Sequence, residues 1–118
     1  MDNYVLVNND EDCVGVTFFI EQEKILKIGN KMNEICEDAY MNGDNWEAFF
    51  NYYLDKNAPE LLEGLESDPE AGMYAANYDE PDALQKAEKF VEIIKGLVEN
   101  EERLYQIVRE EADNIEWN

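Results

Sequence analysis

Trp46, Phe49, Phe50, Tyr53 and Leu54 stand at i, i+3, i+4, i+7 and i+8. At 3.6 residues per turn they share one stripe of a helix, and a stripe that large and apolar has to be buried against something. Whatever else the chain does, it builds its core around this helix. Gly43 precedes it, in a position suited to a left-handed terminus for the helix before, and Asp44 with Glu47 three residues on resembles a capping box.

The remaining elements are read from changes of period. Tyr4 to Val7 is β-branched and aromatic, and from Val14 to Ile20 the residues Val14, Val16, Phe18 and Ile20 alternate with Gly15, Thr17 and Phe19. That period of two, across a polar Asn8–Cys13 segment, predicts an antiparallel hairpin. Ile25, Ile28, Met32, Ile35, Cys36 and Ala39 predict a long helix over 23–41. Pro59 suits the first turn of a short helix with Leu61, Leu62 and Leu65. The Asp68-Pro69-Glu70-Ala71-Gly72 segment reads as a turn into a third strand, Met73–Tyr78, whose faces are Met73, Ala75 and Asn77 against Tyr74, Ala76 and Tyr78. A helix follows with Leu84, Ala87, Phe90, Val91, Ile94, Leu97 and Val98 on its stripe, then a last one with Leu104, Ile107, Val108 and Ala112, capped by Asn100. Ile115-Glu116-Trp117 fits either a short strand or a docked tail. The order ββαααβαα has too few strands for a parallel α/β sheet. It predicts a single α+β domain over 1–118, with a small antiparallel sheet (the N-terminal hairpin plus a third strand) packed against about five helices.

Composition then narrows function. In 118 residues, 29 Asp and Glu face nine Lys and Arg, a formal charge of −20, and histidine is absent. Such a surface repels phosphate backbones and anionic lipid, so neither nucleic acid nor membrane is an expected partner. Without histidine there is no imidazole base, no imidazole metal ligand and no Ser-His or Cys-His nucleophile. Cys13 and Cys36 form no CxxC and read as two reduced, partly buried thiols. No signal-peptide pattern and no membrane-length apolar run is visible, and the chain reads as cytoplasmic.

The charge is also unevenly placed. Residues 43–82 carry 11 acids against Lys56 alone, whereas Lys86, Glu88, Lys89, Glu92 and Lys95 balance one another on an ordinary solvated helix face. Solubility needs only about 2–8 charges on a small domain. A larger excess costs stability by self-repulsion but steers a basic partner inward.

Constellations for chemistry are weak. Asn8, Asp10 and Asp12 resemble the start of an EF-hand loop, but Cys13 stands where its glycine belongs and Phe19 where its bidentate Glu belongs. No carboxylate pair is singled out for acid–base work, and the scattered glycines form no phosphate-binding motif. Catalysis is the function class these absences disfavour most.

The run AYMNGDNWEAFFNYYLDKNAPELLEGLESDPEAGMY, followed by KFVEIIKGLVENEERLYQIV and a terminal IEW, resembles the immunity proteins of bacterial polymorphic toxin systems, specifically immunity protein family 51. The N-terminal strand pair is similar to that family's start, so the resemblance spans nearly the whole chain. It implies a cytoplasmic protein that binds and blocks a cognate toxin, with no catalysis and no cofactor. It names no toxin, and Gly43, Trp46 and Gly72 look structural within it rather than toxin-contacting.

Charge and resemblance meet in one mechanism: an acidic surface docks on the basic cleft of a toxin C-terminal domain, a nuclease fitting best because its Lys and Arg would otherwise hold phosphates. The expected contacts are Asp10, Glu11 and Asp12 in the hairpin loop, Asp68 and Glu70, and Asp79, Glu80 and Asp82, with Tyr52 or Tyr78 as an exposed aromatic hot spot. A monomer is expected. The alternative is an acidic DNA mimic that inhibits a DNA-binding enzyme, which would need carboxylates in rows at phosphate spacing. An adaptor or oligomerising domain would instead expose an apolar patch.

Overall fold

Alternation in the first twenty residues and again in the seventies produces strands that pair across the intervening helices. The computed structural model describes residues 4–9, 13–70, 72–79 and 81–117. In chain order, β1 (Val5–Asn9) and β2 (Val14–Phe19) form the hairpin, α1 (Glu23–Ile35) and α2 (Gly43–Asn57) follow, and a 3-10 turn covers Pro59–Leu61. Then come β3 (Glu66–Ser67), β4 (Met73–Tyr78), α3 (Ala83–Glu99), α4 (Glu101–Glu111) and a closing 3-10 turn, Ala112–Asn114. The sheet runs β1-β2-β4-β3, antiparallel throughout, with Val16 opposite both Val7 and Ala76.

The α+β class is as expected, while the counts differ: among the described residues the sheet has four strands and the chain four α-helices. β3 is two residues long and carries no readable period. The leucine segment after Pro59 forms one 3-10 turn instead of a helix. The first helix stops at Ile35, not near residue 41, because the Asn33 amide donates to the Cys36 and Glu37 carbonyls while Cys36 is extended. Ala39 is buried from a loop, where its helical spacing is coincidental. Cys36 therefore lies just past the helix, half-buried, and both thiols are free. On α3, Ala83 is buried where Leu84 was expected, and Leu84 is exposed. Ile115 docks as a buried tail.

The α2 stripe meets the sheet from one side. Phe18 of β2 packs edge-on against Trp46 at 4.9 Å between centroids, and Phe50 against Tyr74 of β4 at 5.1 Å and Phe90 of α3 at 5.5 Å. Tyr53, at the stripe's edge, stays half-buried. Asn42 caps α2 by accepting the Asn45 N–H at 3.0 Å, in place of the expected Asp44. Asn100 precedes α4 without a side-chain cap bond, its carbonyl accepting from Arg103. Gly43 has no positive φ; among the described glycines only Gly64, at 76°, does. Its value is closeness: a Cβ there would stand 1.9 Å from the Glu70 carbonyl oxygen and 2.5 Å from that of Met73.

Two tyrosines of β4 are sealed in this core. Tyr78 donates to the Leu61 carbonyl at 2.6 Å, whereas the Tyr74 hydroxyl has no hydrogen-bond partner among the described residues. Burial pushes both phenols far above their ordinary pKa of 10.0. The unfolded chain loses these protons near pH 10 and the fold keeps them. Stability is therefore full below about pH 10 and should fall above it, by about 1.4 kcal/mol per pH unit for each phenol. Urea midpoints between pH 8 and 11 will show this, with tyrosinate absorbance rising together with unfolding. The Tyr105 phenol on α4 is raised as well, by burial and by its bond to Glu101. Tyr74→Phe should therefore cut the slope by about a third and, having removed an unpartnered hydroxyl, gain about 1 kcal/mol at pH 7.

Candidate functional site

Sheet register decides where the loop acids go. Asn9 of β1 and Val14 of β2 pair at the end of the sheet where Tyr78 closes β4. Asp79 and Asp82, both exposed, leave the sheet at that end. The segment after β3 runs back along β4: the Asp68 N–H donates to the Ala75 carbonyl at 2.7 Å beside mid-strand, and Glu70 bridges to Met73 at the other end. Five strand steps from Met73 to Tyr78 put Glu70 roughly 17 Å from the Asp79 end, and three steps from Ala75 put Asp68 roughly 10 Å from it. Asp10, Glu11, Asp12 and Glu80 lie outside the described residues.

The two aromatic candidates fare differently. Tyr78 is fully buried, so the expectation that it forms an exposed contact is overturned: its parity on β4 faces the helices. Tyr52 is half-buried on α2 and hydrogen-bonds the Glu111 carboxylate. Lys56 reaches the same carboxylate at 2.5 Å and lies 5.7 Å from the centre of the Tyr52 ring. That ammonium, helped by the phenol, holds the Glu111 carboxyl below its usual range and in return raises Lys56. The Tyr52 ring is thus tied to α4.

That ring lines a groove of about 560 Å³ that was not foreseen, together with Glu47, Asn51, Asp55, Asn114 and Glu116. The signal was present: Glu47, Asn51 and Asp55 at i, i+4 and i+8 share one helix face. Glu47 is also hydrogen-bonded to Ser67, which fastens β3 to α2. Of the described acids in residues 43–82, Glu47 and Asp55 line this groove, while Asp68 and Glu70 run beside β4 and Asp79 and Asp82 follow it.

Among the described residues no cluster of His, Cys, Asp or Glu is arranged to hold a metal ion, and no helix is long and apolar enough to cross a membrane. The chain matches the family model described as Immunity protein 51 over residues 4–113, and it belongs to that family. No curated protein and no solved structure matches it significantly.

Proposed function

We propose that this chain is an immunity protein that binds a cognate bacterial toxin domain in the cytoplasm and neutralises it by covering its active site with an acidic surface. Family membership together with the exposed carboxylates beside β4 and in the loop after it carries this reading. A nuclease toxin suits it best, because a cleft built to hold phosphates is cationic, and carboxylates entering it replace the substrate's charge.

The test is protection. Cells expressing the toxin domain encoded beside this gene should survive only when this chain is co-expressed. Affinity should weaken at least about tenfold between 50 and 500 mM NaCl, since the exposed charges lie beyond a Debye length at the higher salt. Asp68→Lys with Glu70→Lys, and separately Asp79→Lys with Asp82→Lys, should each lower affinity about tenfold or more while leaving the melting temperature near the parent's. Salt-independent binding, or full protection by both double variants, overturns the electrostatic mechanism; failure of the parent to protect overturns immunity itself.

A further inference from the structure

We infer that the face of the sheet turned away from the helices is the centre of the toxin interface, with the acidic loops as its rim; this rests on the immunity reading above. Alternation assigns Val16, Phe18, Tyr74, Ala76 and Tyr78 to the helix side, where all are fully buried. Leu6 of β1, Thr17 and Phe19 of β2, and Met73, Ala75 and Asn77 of β4 consequently share the opposite side. Leu6 is 43% exposed and the others are half-buried. Asn8 donates to Thr17 across this face at 2.9 Å, and Gly15 leaves room there for the Asn77 side chain.

The chemistry of this face is unlike that of the rest of the molecule. In a chain of net charge −20, the three long strands present Leu, Thr, Phe, Met, Ala and Asn on it, and the acids Glu66, Asp68 and Glu70, opposite Asn77, Ala75 and Met73, line its β3 edge. An apolar centre inside a charged rim is the anatomy of a protein–protein contact. Size points the same way. Strand spacing of about 4.8 Å and a rise of about 3.3 Å give a face of roughly 300 Å², the scale of a functional surface patch. A standard interface takes about 800 Å² from each partner, so the face has to be extended, and its β3 edge and the loop after β4 carry the acids that would do so.

Charge selects the occupant. A second copy would bring −20 against −20, with like rims opposed at both ends. A partner with an apolar or neutral centre and a Lys/Arg-rich margin meets no such penalty. The structure therefore assigns this face to the cationic toxin domain and not to self-association. Removal of the rim acids then slows encounter, whereas disruption of the face shortens the lifetime of the complex.

The experiment uses the full chain and an inactivated form of the toxin domain encoded beside its gene. Thr17→Arg and Ala75→Arg place a guanidinium on the face. Gln85→Arg makes the same charge change at an exposed position on α3. The first two should weaken binding at least about thirtyfold, mainly through dissociation, and Gln85→Arg less than about threefold. Hydroxyl-radical footprinting of the unaltered complex covers the case of a variant that fails to fold: Phe19 and Met73 should lose several-fold of their labelling on binding. Unchanged affinity of the folded face variants, or undiminished labelling, overturns the assignment while immunity stands. So does sedimentation showing a parent dimer that Ala75→Arg splits. A parent chain that neither binds nor protects overturns both.

Discussion

Phe50→Ala should cost the fold about 3–5 kcal/mol, a large share of the roughly 5–15 kcal/mol that holds a domain folded. Phe50 is the side chain through which four elements meet. Its ring lies 5.7 Å from that of Phe18 on β2, 5.5 Å from Trp46 one turn earlier on α2, 5.1 Å from Tyr74 on β4 and 5.5 Å from Phe90 on α3. All of these rings are sealed from solvent, so truncation leaves a cavity bounded by large, rigid neighbours that cannot collapse into it. Tyr53→Ala, at the half-buried edge of the same stripe, should cost about 1–2 kcal/mol. Urea titration of the two variants separates these sizes. A Phe50→Ala loss no greater than that of Tyr53→Ala would mean that the aromatic cluster is not the centre of the core.

Gly43→Ala should be nearly as damaging, by about 3 kcal/mol, although it adds a single methyl to a residue at a helix start. The obstruction is backbone on the other side. The Glu70 carbonyl oxygen at 1.9 Å, the Met73 carbonyl oxygen at 2.5 Å and the Glu70 nitrogen at 2.8 Å cannot rotate aside as a side chain would. Relief requires α2 and the turn between β3 and β4 to separate. That turn carries Asp68 and Glu70, so the same substitution should weaken toxin binding beyond its effect on the melting temperature. Gly96→Ala gives the contrast: on α3, with nothing within 4 Å of the added carbon, it should raise stability by about 0.5–1 kcal/mol. Thermal melts of the pair check both signs, and a Gly43→Ala protein as stable as its parent would show that the close approach yields.

These effects set the terms on which the acidic surface is tolerated. A net charge of −20 works against compactness, and the aromatic core together with the cross-element ties has to offset it. The ties include Lys89 to Glu60 at 2.8 Å, Lys56 to Glu111, and Tyr78 to the Leu61 carbonyl. Few cations are available, and those given to such ties are spent away from the sheet's open face.

Much of this architecture was legible in the chain itself. The period of two in Val14–Ile20 and Met73–Tyr78 placed two strands and sorted their faces, because alternation is a property of the extended backbone alone. The Trp46–Leu54 stripe and the repeats of α3 and α4 identified the helices for the same local reason. The acid excess of residues 43–82 and the absence of histidine needed only counting, and the family resemblance needed only the quoted segments. Where local rules competed with distant contacts, expectation failed. Asn33 and Asn45, bonding the carbonyls of residues 36–40, ended a helix that apolar spacing would have continued.

Periodicity names two faces of a strand but does not say which one the helices will cover. That was decided when Phe50 met Tyr74 and Leu61 took the hydroxyl of Tyr78, burying a residue that had read as a surface contact and leaving Phe19 and Met73 half open. The strand order likewise sent Asp68 and Glu70 along the outer edge of β4 and Asp79 and Asp82 beyond its end. The chain on its own determined its elements, its charge and its family, since each is written in near neighbours. Which surface faces outward depends on free energies between residues far apart in sequence, and only the packed molecule brings those together.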